Sequence, residues 1–139
     1  MKYIQKTPEP EFLKSWKRAN PGLKYTDFQK NTPLKARLRK SLLNEQYYLC
    51  CYCGSSLKDY RDDEYHIEHF IPQHRDNRLT LSYTNMMISC NGLDHVYKDP
   101  YERNYCGHRK GKTYDVQMLS PLSSDCEDRL TTSANGRIV

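Results

Sequence analysis

Cys50-Cys51-Tyr52-Cys53-Gly54 and, downstream of it, Tyr65-His66-Ile67-Glu68-His69-Phe70-Ile71-Pro72 are the stretches on which the fold turns. Cys50-x-x-Cys53 brings two thiolates to one tight turn, the arrangement in which a tetrahedral Zn²⁺ takes two of its four ligands. No thioredoxin-like βαβ context surrounds it, and two more cysteines follow, so metal binding outranks a redox pair. Cys90 and Cys106 are the best second pair. A site of Cys50, Cys53, Cys90 and Cys106 would close the long loop between the last two and hold the helix expected after Asn85 against the Cys50 turn. His95 is the rival fourth ligand, while Cys51 and Cys126 read as plain thiols.

The second stretch alternates well enough for a short strand, and Pro72, which cannot donate in a ladder, ends it. A period of two puts His66 and Glu68 on one face and His69 on the other. Glu68 and His69 can therefore serve one site only where the strand bends at its end. Beyond the polar residues 73–78, Ser82 is placed to cap a helix carrying Tyr83, Met86, Met87 and Cys90 on one side, closed by Asn91-Gly92. The middle of the chain thus reads strand, loop, helix. Residues 93–112 read as loop with a second short helix, and 114–139 as weak strand-like clusters. The ending Asn135-Gly136-Arg137-Ile138-Val139 reads as a turn and the start of a strand, which suggests a chain cut short.

Upstream, Phe12, Leu13 and Trp16 fall at helical spacing before the stop signal Asn20-Pro21-Gly22, a short amphipathic helix that either joins a core or docks a partner. Thr32-Pro33 then supplies an N-cap and first-turn proline. Leu34, Leu38, Leu42 and Leu49 recur near a 3.6-residue period, predicting a helix over 33–48. Residues 1–50 hold 11 Lys/Arg against 4 Asp/Glu, and the remainder 11 against 13. The basic front half favours a polyanion or an acidic protein surface as its neighbour, with Lys35, Arg37 and Arg39 foremost.

Only 37% of the 139 residues are apolar, 28% are charged and mean hydropathy is -0.95. That leaves a modest core in which a metal staple has obvious value. No run approaches the roughly 20 apolar residues of a membrane span, and the N-terminus lacks a secretory h-region, so a cytoplasmic protein with no membrane contact is expected. Twelve tyrosines extend the buried area while keeping hydroxyls wet. Tyr47, Tyr48 and Tyr52 read as packing around the cysteine turn rather than as a base-stacking platform.

The order CxxC, Glu68-His69-Phe70-x-Pro72, Asn85, Cys90, then Cys106 with Lys110 beyond it, resembles the HNH endonuclease superfamily. With Glu45-Gln46, Leu49-Cys50-x-Tyr52-Cys53, His66-Ile67-Glu68-His69, Tyr83-x-Asn85 and Ser89-Cys90 it is similar to the PtuB-like branch found in Septu and retron antiphage systems. The resemblance implies an α+β fold: a small zinc-stapled ββα-metal domain at 49–139, preceded by a basic helical segment at 1–48. It implies His69 as general base, Glu68 as ligand of the catalytic metal, Asn85 as the residue orienting the base, and Lys110 near the phosphate. It also implies a PtuA-like ATPase partner within a larger hetero-oligomeric complex. The pattern departs at Gly107, where many relatives carry His or Asn; His108, His95 or water is then left to complete the metal.

These residue types suit the chemistry independently. Phosphodiester hydrolysis needs an activated water, charge neutralisation at the phosphate and help for the leaving oxygen. A neutral imidazole accepts the proton, and an amide carbonyl accepting the other ring N–H would hold the useful tautomer. A Mg²⁺ or Mn²⁺ on Glu68 would supply the Lewis acid, leaving the thiolate-bound Zn²⁺ structural. Arg75, Arg78, Arg109 and Lys112 flank the motifs and are candidates for phosphate contacts, which position without reading sequence. The expected function is a metal-dependent endonuclease acting on DNA, with RNA as the other possible substrate. The competing expectation, kept open by Gly107, is an inactive zinc-stapled binding or adaptor module.

Overall fold

The computed structural model describes residues 1–92, 105–131 and 133–135. Helix α1 (Glu11–Ala19) buries Leu13 and sets Trp16 edge-on to Phe28, with ring centroids 5.1 Å apart. Its apolar residues pack against the core instead of forming a free docking face. Phe28 belongs to a single turn, α2 (Tyr25–Phe28), that periodicity did not predict because four residues carry too little pattern.

Helix α3 (Thr32–Glu45) differs from expectation at both ends. Its N-cap is Asn31, whose side chain accepts from Leu34 N–H at 3.2 Å, so Thr32 is already helical. It stops at Glu45 because Tyr47 and Tyr48 adopt left-handed φ angles of 52° and 59°, turning Tyr48 N–H back onto the Leu43 carbonyl at 2.8 Å. Leu49 consequently lies outside the helix and bridges to Ser56, launching the cysteine turn.

Two strands are present among the described residues: β1 (Tyr65–His69) and β2 (Met86–Cys90), antiparallel, with Tyr65 opposite Cys90, Ile67 opposite Ile88 and His69 opposite Met86. The helix expected from Ser82 through Cys90 is therefore corrected. Tyr83–Asn85 is one 3₁₀ turn, Ser82 makes no capping bond to it, and 86–90 is strand. Apolar residues at 83, 86, 87 and 90 fit a helical face, but Ile88 and Ser89 between them are equally buried. A strand enclosed on both faces shows no alternation, and a short apolar run cannot be told from a helix by periodicity.

What fixes β2 is its hydrogen bonding. One edge pairs with β1. On the other, the Gln46 side chain imitates a neighbouring strand: Oε1 accepts from Ile88 N–H at 2.6 Å and Nε2 donates to the Ile88 carbonyl at 3.0 Å. Cys51 N–H donates to the same carbonyl at 3.0 Å. A fully buried strand needs such partners because a bare amide there would cost free energy.

Helix α4 (Cys106–Lys110) falls within the segment expected to hold a short helix and packs on β2. One core joins Leu13, Phe28, Leu38 and Leu42 of the N-terminal helices to Met86, Ile88 and Cys90 of β2. The result is α+β, with the two-stranded sheet and α4 forming the ββα unit. His95 and the strand start expected at Ile138 lie outside the described residues. Among those described, no helix is long and apolar enough to cross a membrane.

Candidate metal centre and active site

The Cys50 turn, the end of β2 and the start of α4 deliver Cys50, Cys53, Cys90 and Cys106 to one point, their sulfurs all within 4.8 Å of one another. Cys53 Sγ and Cys90 Sγ are 3.8 Å apart. A Zn–S bond of about 2.3 Å implies an edge of about 3.8 Å in a tetrahedron, so the sulfur set fits one tetrahedral metal ion. Hydrogen bonds from neighbouring thiols, that of Cys106 foremost, hold Cys50 and Cys53 below the ordinary thiol value of 9.0, while the bonds to those two push Cys90 and Cys106 above it. Cys90 N–H also points at Cys50 Sγ, 3.3 Å away. Cys51 is outside the quartet and almost wholly buried, which pushes its thiol up; Cys126 is buried elsewhere.

The quartet fixes α4 against β2, and β1 lies alongside. Glu68 and Lys110 meet there, Lys110 Nζ standing 3.1 Å from Glu68 Oε1 and 3.4 Å from the His69 carbonyl. Tyr52 donates its hydroxyl to the same Oε1 at 2.9 Å. The other carboxylate oxygen, Oε2, faces His66 Nε2 at 3.4 Å. Burial by itself would raise the Glu68 carboxyl, but the bonds from His66, Lys110 and Tyr52 outweigh it and hold the group ionised, below the usual 4.5. For His66, burial pulls downward while Glu68 and Asn91 more than offset it, so the imidazole lies above 6.5.

His69 is on the opposite face of β1, as alternation requires, with its ring edge-on to Tyr25 at 4.7 Å. The conflict between the two faces is resolved at the strand end. A cleft of about 300 Å³ is lined by Ile67, Glu68, His69, Pro72, His74 and Lys112, so carboxylate and imidazole open onto common space. His69 Nε2 is 2.9 Å from the Thr80 carbonyl, which can only accept; the ring therefore carries its proton on Nε2 and leaves the Nδ1 lone pair free. Burial is the main influence on its basicity and depresses it below 6.5, aided by Lys110 and opposed by Thr80 and Glu68. The ring is thus neutral near pH 7, as a proton acceptor must be.

Asn85 does not touch that ring. Its Oδ1 accepts from Ile71 N–H at 2.8 Å and its Nδ2 donates to the Ile71 carbonyl at 2.9 Å. These bonds tie the exit of β1 to the entry of β2, and Nδ2 also lies 3.5 Å from the carbonyl of Leu79, the residue before Thr80. A backbone carbonyl leaves no mark in a sequence, so residue type gives no signal for Thr80; Asn91 reads in the sequence as a helix stop, and Gln46 only as part of a resemblance. His108, on α4, is exposed and sets Nε2 3.1 Å from Asn91 Oδ1, beside the His66 ring at 4.8 Å between centroids.

Of the basic residues, Lys112 lines the cleft and Arg75 and Arg109 are exposed, whereas Arg78 is engaged by Asp76. Arg39, expected on the open face of α3, donates to the Asp62 and Tyr65 carbonyls and stacks on Tyr65. A larger groove of about 800 Å³, bordered by Lys2, Lys6, Glu45, Tyr47 and Glu127, shares none of the residues lining the cleft.

The matching family model over residues 50–92 is HNH endonuclease, spanning the cysteine turn and both strands. The chain is similar to that family over these residues. It is also 32% identical over 98 residues to the Escherichia coli protein named "Retron Ec83 putative HNH endonuclease", an alignment covering 66% of this chain and 38% of that protein. The chain therefore spans well under half the length of that relative.

Proposed function

We propose that the protein is a metal-dependent endonuclease that hydrolyses nucleic-acid phosphodiesters, DNA in the first instance. The observation that carries this reading is a buried, neutral His69 with Nδ1 free, opening onto the same cleft as an ionised Glu68. His69 Nδ1 takes the proton of the attacking water while Thr80 holds the ring and disperses the charge it gains. Glu68 is the carboxylate that would hold a Mg²⁺ or Mn²⁺ ion, with an imidazole of the His66–His108 cluster beside it; that ion supplies charge neutralisation at the phosphate. Lys110 keeps Glu68 ionised and adds positive charge, and Arg109 and Lys112 are free to meet flanking phosphates. Asn85 positions the base through the loop. The four-cysteine site holds Zn²⁺ and serves structure alone.

The setting we infer is cytoplasmic antiphage defence, with a PtuA-like ATPase partner engaging the basic segment 1–48. The retron naming of the relative and the PtuB-like motifs support it. A second reading, an inactive binding module, draws on Gly107. Relaxation of supercoiled plasmid in Mg²⁺ or Mn²⁺ separates the two. Cleavage by wild type, reduced about 10²- to 10⁴-fold in His69→Ala, is expected; equal activity in both proteins, or none from the chain and its ATPase complex, removes the nuclease reading.

A further inference from the structure

We infer that His66 is the imidazole ligand of the divalent-cation site, paired with Glu68 on the same face of β1, and that Gly107 is bare in order to admit it. The inference rests on the metal-dependent reading above and assigns the residue that completes its site.

Three observations converge. The first is space. A Cβ built on Gly107 would lie 2.6 Å from His66 Nε2, 2.9 Å from His66 Cε1 and 2.9 Å from Ser89 Oγ, closer than carbon approaches in real structures, with the His66 ring the nearest of these. A side chain at 107 and the imidazole of His66 compete for one volume, and His66 holds it. The second is the tautomer. Asn91 Nδ2 donates to the Asp63 carbonyl at 2.6 Å, which turns Asn91 Oδ1 toward His66 Nδ1, also 2.6 Å away. An acceptor there places a proton on Nδ1, so in the neutral ring Nε2 is the nitrogen with a lone pair. Metal-binding histidines are oriented in just this way, the second nitrogen donating to a carbonyl. The third is the partner. Nε2 faces Glu68 Oε2, the oxygen that Tyr52 and Lys110 leave alone, since both engage Oε1.

His108 does not meet these conditions. Its Nε2 points at the same Asn91 oxygen and must donate there, so it supports the amide rather than presenting a lone pair to Glu68. Residues i and i+2 of a strand share a face, so one short element supplies both ligands with no contribution from α4 beyond its missing side chain. A nitrogen ligand in place of an all-oxygen set shifts preference from Mg²⁺ toward Mn²⁺ and later first-row ions.

The test uses the full zinc-loaded chain and Mn²⁺ as the probe. Free Mn²⁺ is counted by its EPR signal during titration, and ¹⁴N modulation of bound Mn²⁺ reports an imidazole ligand. We expect one Mn²⁺ lost in Glu68→Ala, ¹⁴N modulation in wild type and in His108→Ala, and its loss in His66→Ala with binding at least about tenfold weaker, since even indirect partners of such ligands cost that much. Gly107→Ala keeps the His66 ring but presses a methyl against Nε2, and should weaken Mn²⁺ with zinc content unchanged. Glu68-dependent binding whose ¹⁴N modulation survives His66→Ala, or an unaltered affinity in Gly107→Ala, overturns the inference and leaves the nuclease reading intact. No Glu68-dependent Mn²⁺ in wild type removes both.

Discussion

The role proposed for His69 as a base draws on the surroundings of its ring: the Thr80 carbonyl accepts from Nε2–H, which leaves Nδ1 unprotonated, and the residue lines the cleft. Its depressed basicity fixes the sign of a pH effect. The reactive form is the neutral one, so single-turnover cleavage should rise with pH along a limb centred below 6.5 and be level by pH 7.5. A cation on Glu68 repels the imidazolium and moves the limb further in the same direction. A limb centred above 6.5 would mean that another group takes the proton. His69, Glu68 and the cysteines could be picked out from their types and order, since chemistry restricts what can stand there. Thr80 could not, because any residue supplies a carbonyl. Gly107 departs from the pattern, and the space a side chain there would fill is taken by the His66 ring.

Among the elements, α3 was legible because it has one buried face and one wet one, which writes a period into the chain, and β1 because polar and apolar residue types alternate along it, although none of its residues is exposed. β2 was not, because both of its faces are covered and five consecutive residues are buried. Its unpaired edge is served by a side chain from the helix end, a contact 42 residues away in sequence that no local pattern encodes. Gln46→Leu should therefore behave unlike an ordinary surface change. It leaves the Ile88 N–H without an acceptor inside the core and should cost about 1–3 kcal/mol in urea unfolding. An unchanged midpoint would show that water or a shifted backbone replaces the amide. Lys6, which bonds both Glu45 and the Met86 carbonyl, ties the N-terminal arm to the same strand.

For the whole molecule, a core of limited apolar content is divided between N-terminal helices and a small sheet, and the cysteine quartet joins the turn, β2 and α4 at one point. Removing the metal with a strong chelator should release about one equivalent of zinc and abolish the cooperative thermal transition, with Cys50→Ser and Cys53→Ser reproducing the loss. Undiminished melting without metal would contradict a structural role. Of the four clustered cysteines, Cys50 and Cys90 are buried and Cys106 is partly so, but Cys53 is exposed. A peroxide arriving from solvent meets that sulfur first, and a sulfenic acid is a poor ligand for zinc. Oxidation at one surface atom would thus let go of α4, and with it the lysine that keeps Glu68 charged, so the same staple that builds the site makes it answer to the redox state of its surroundings.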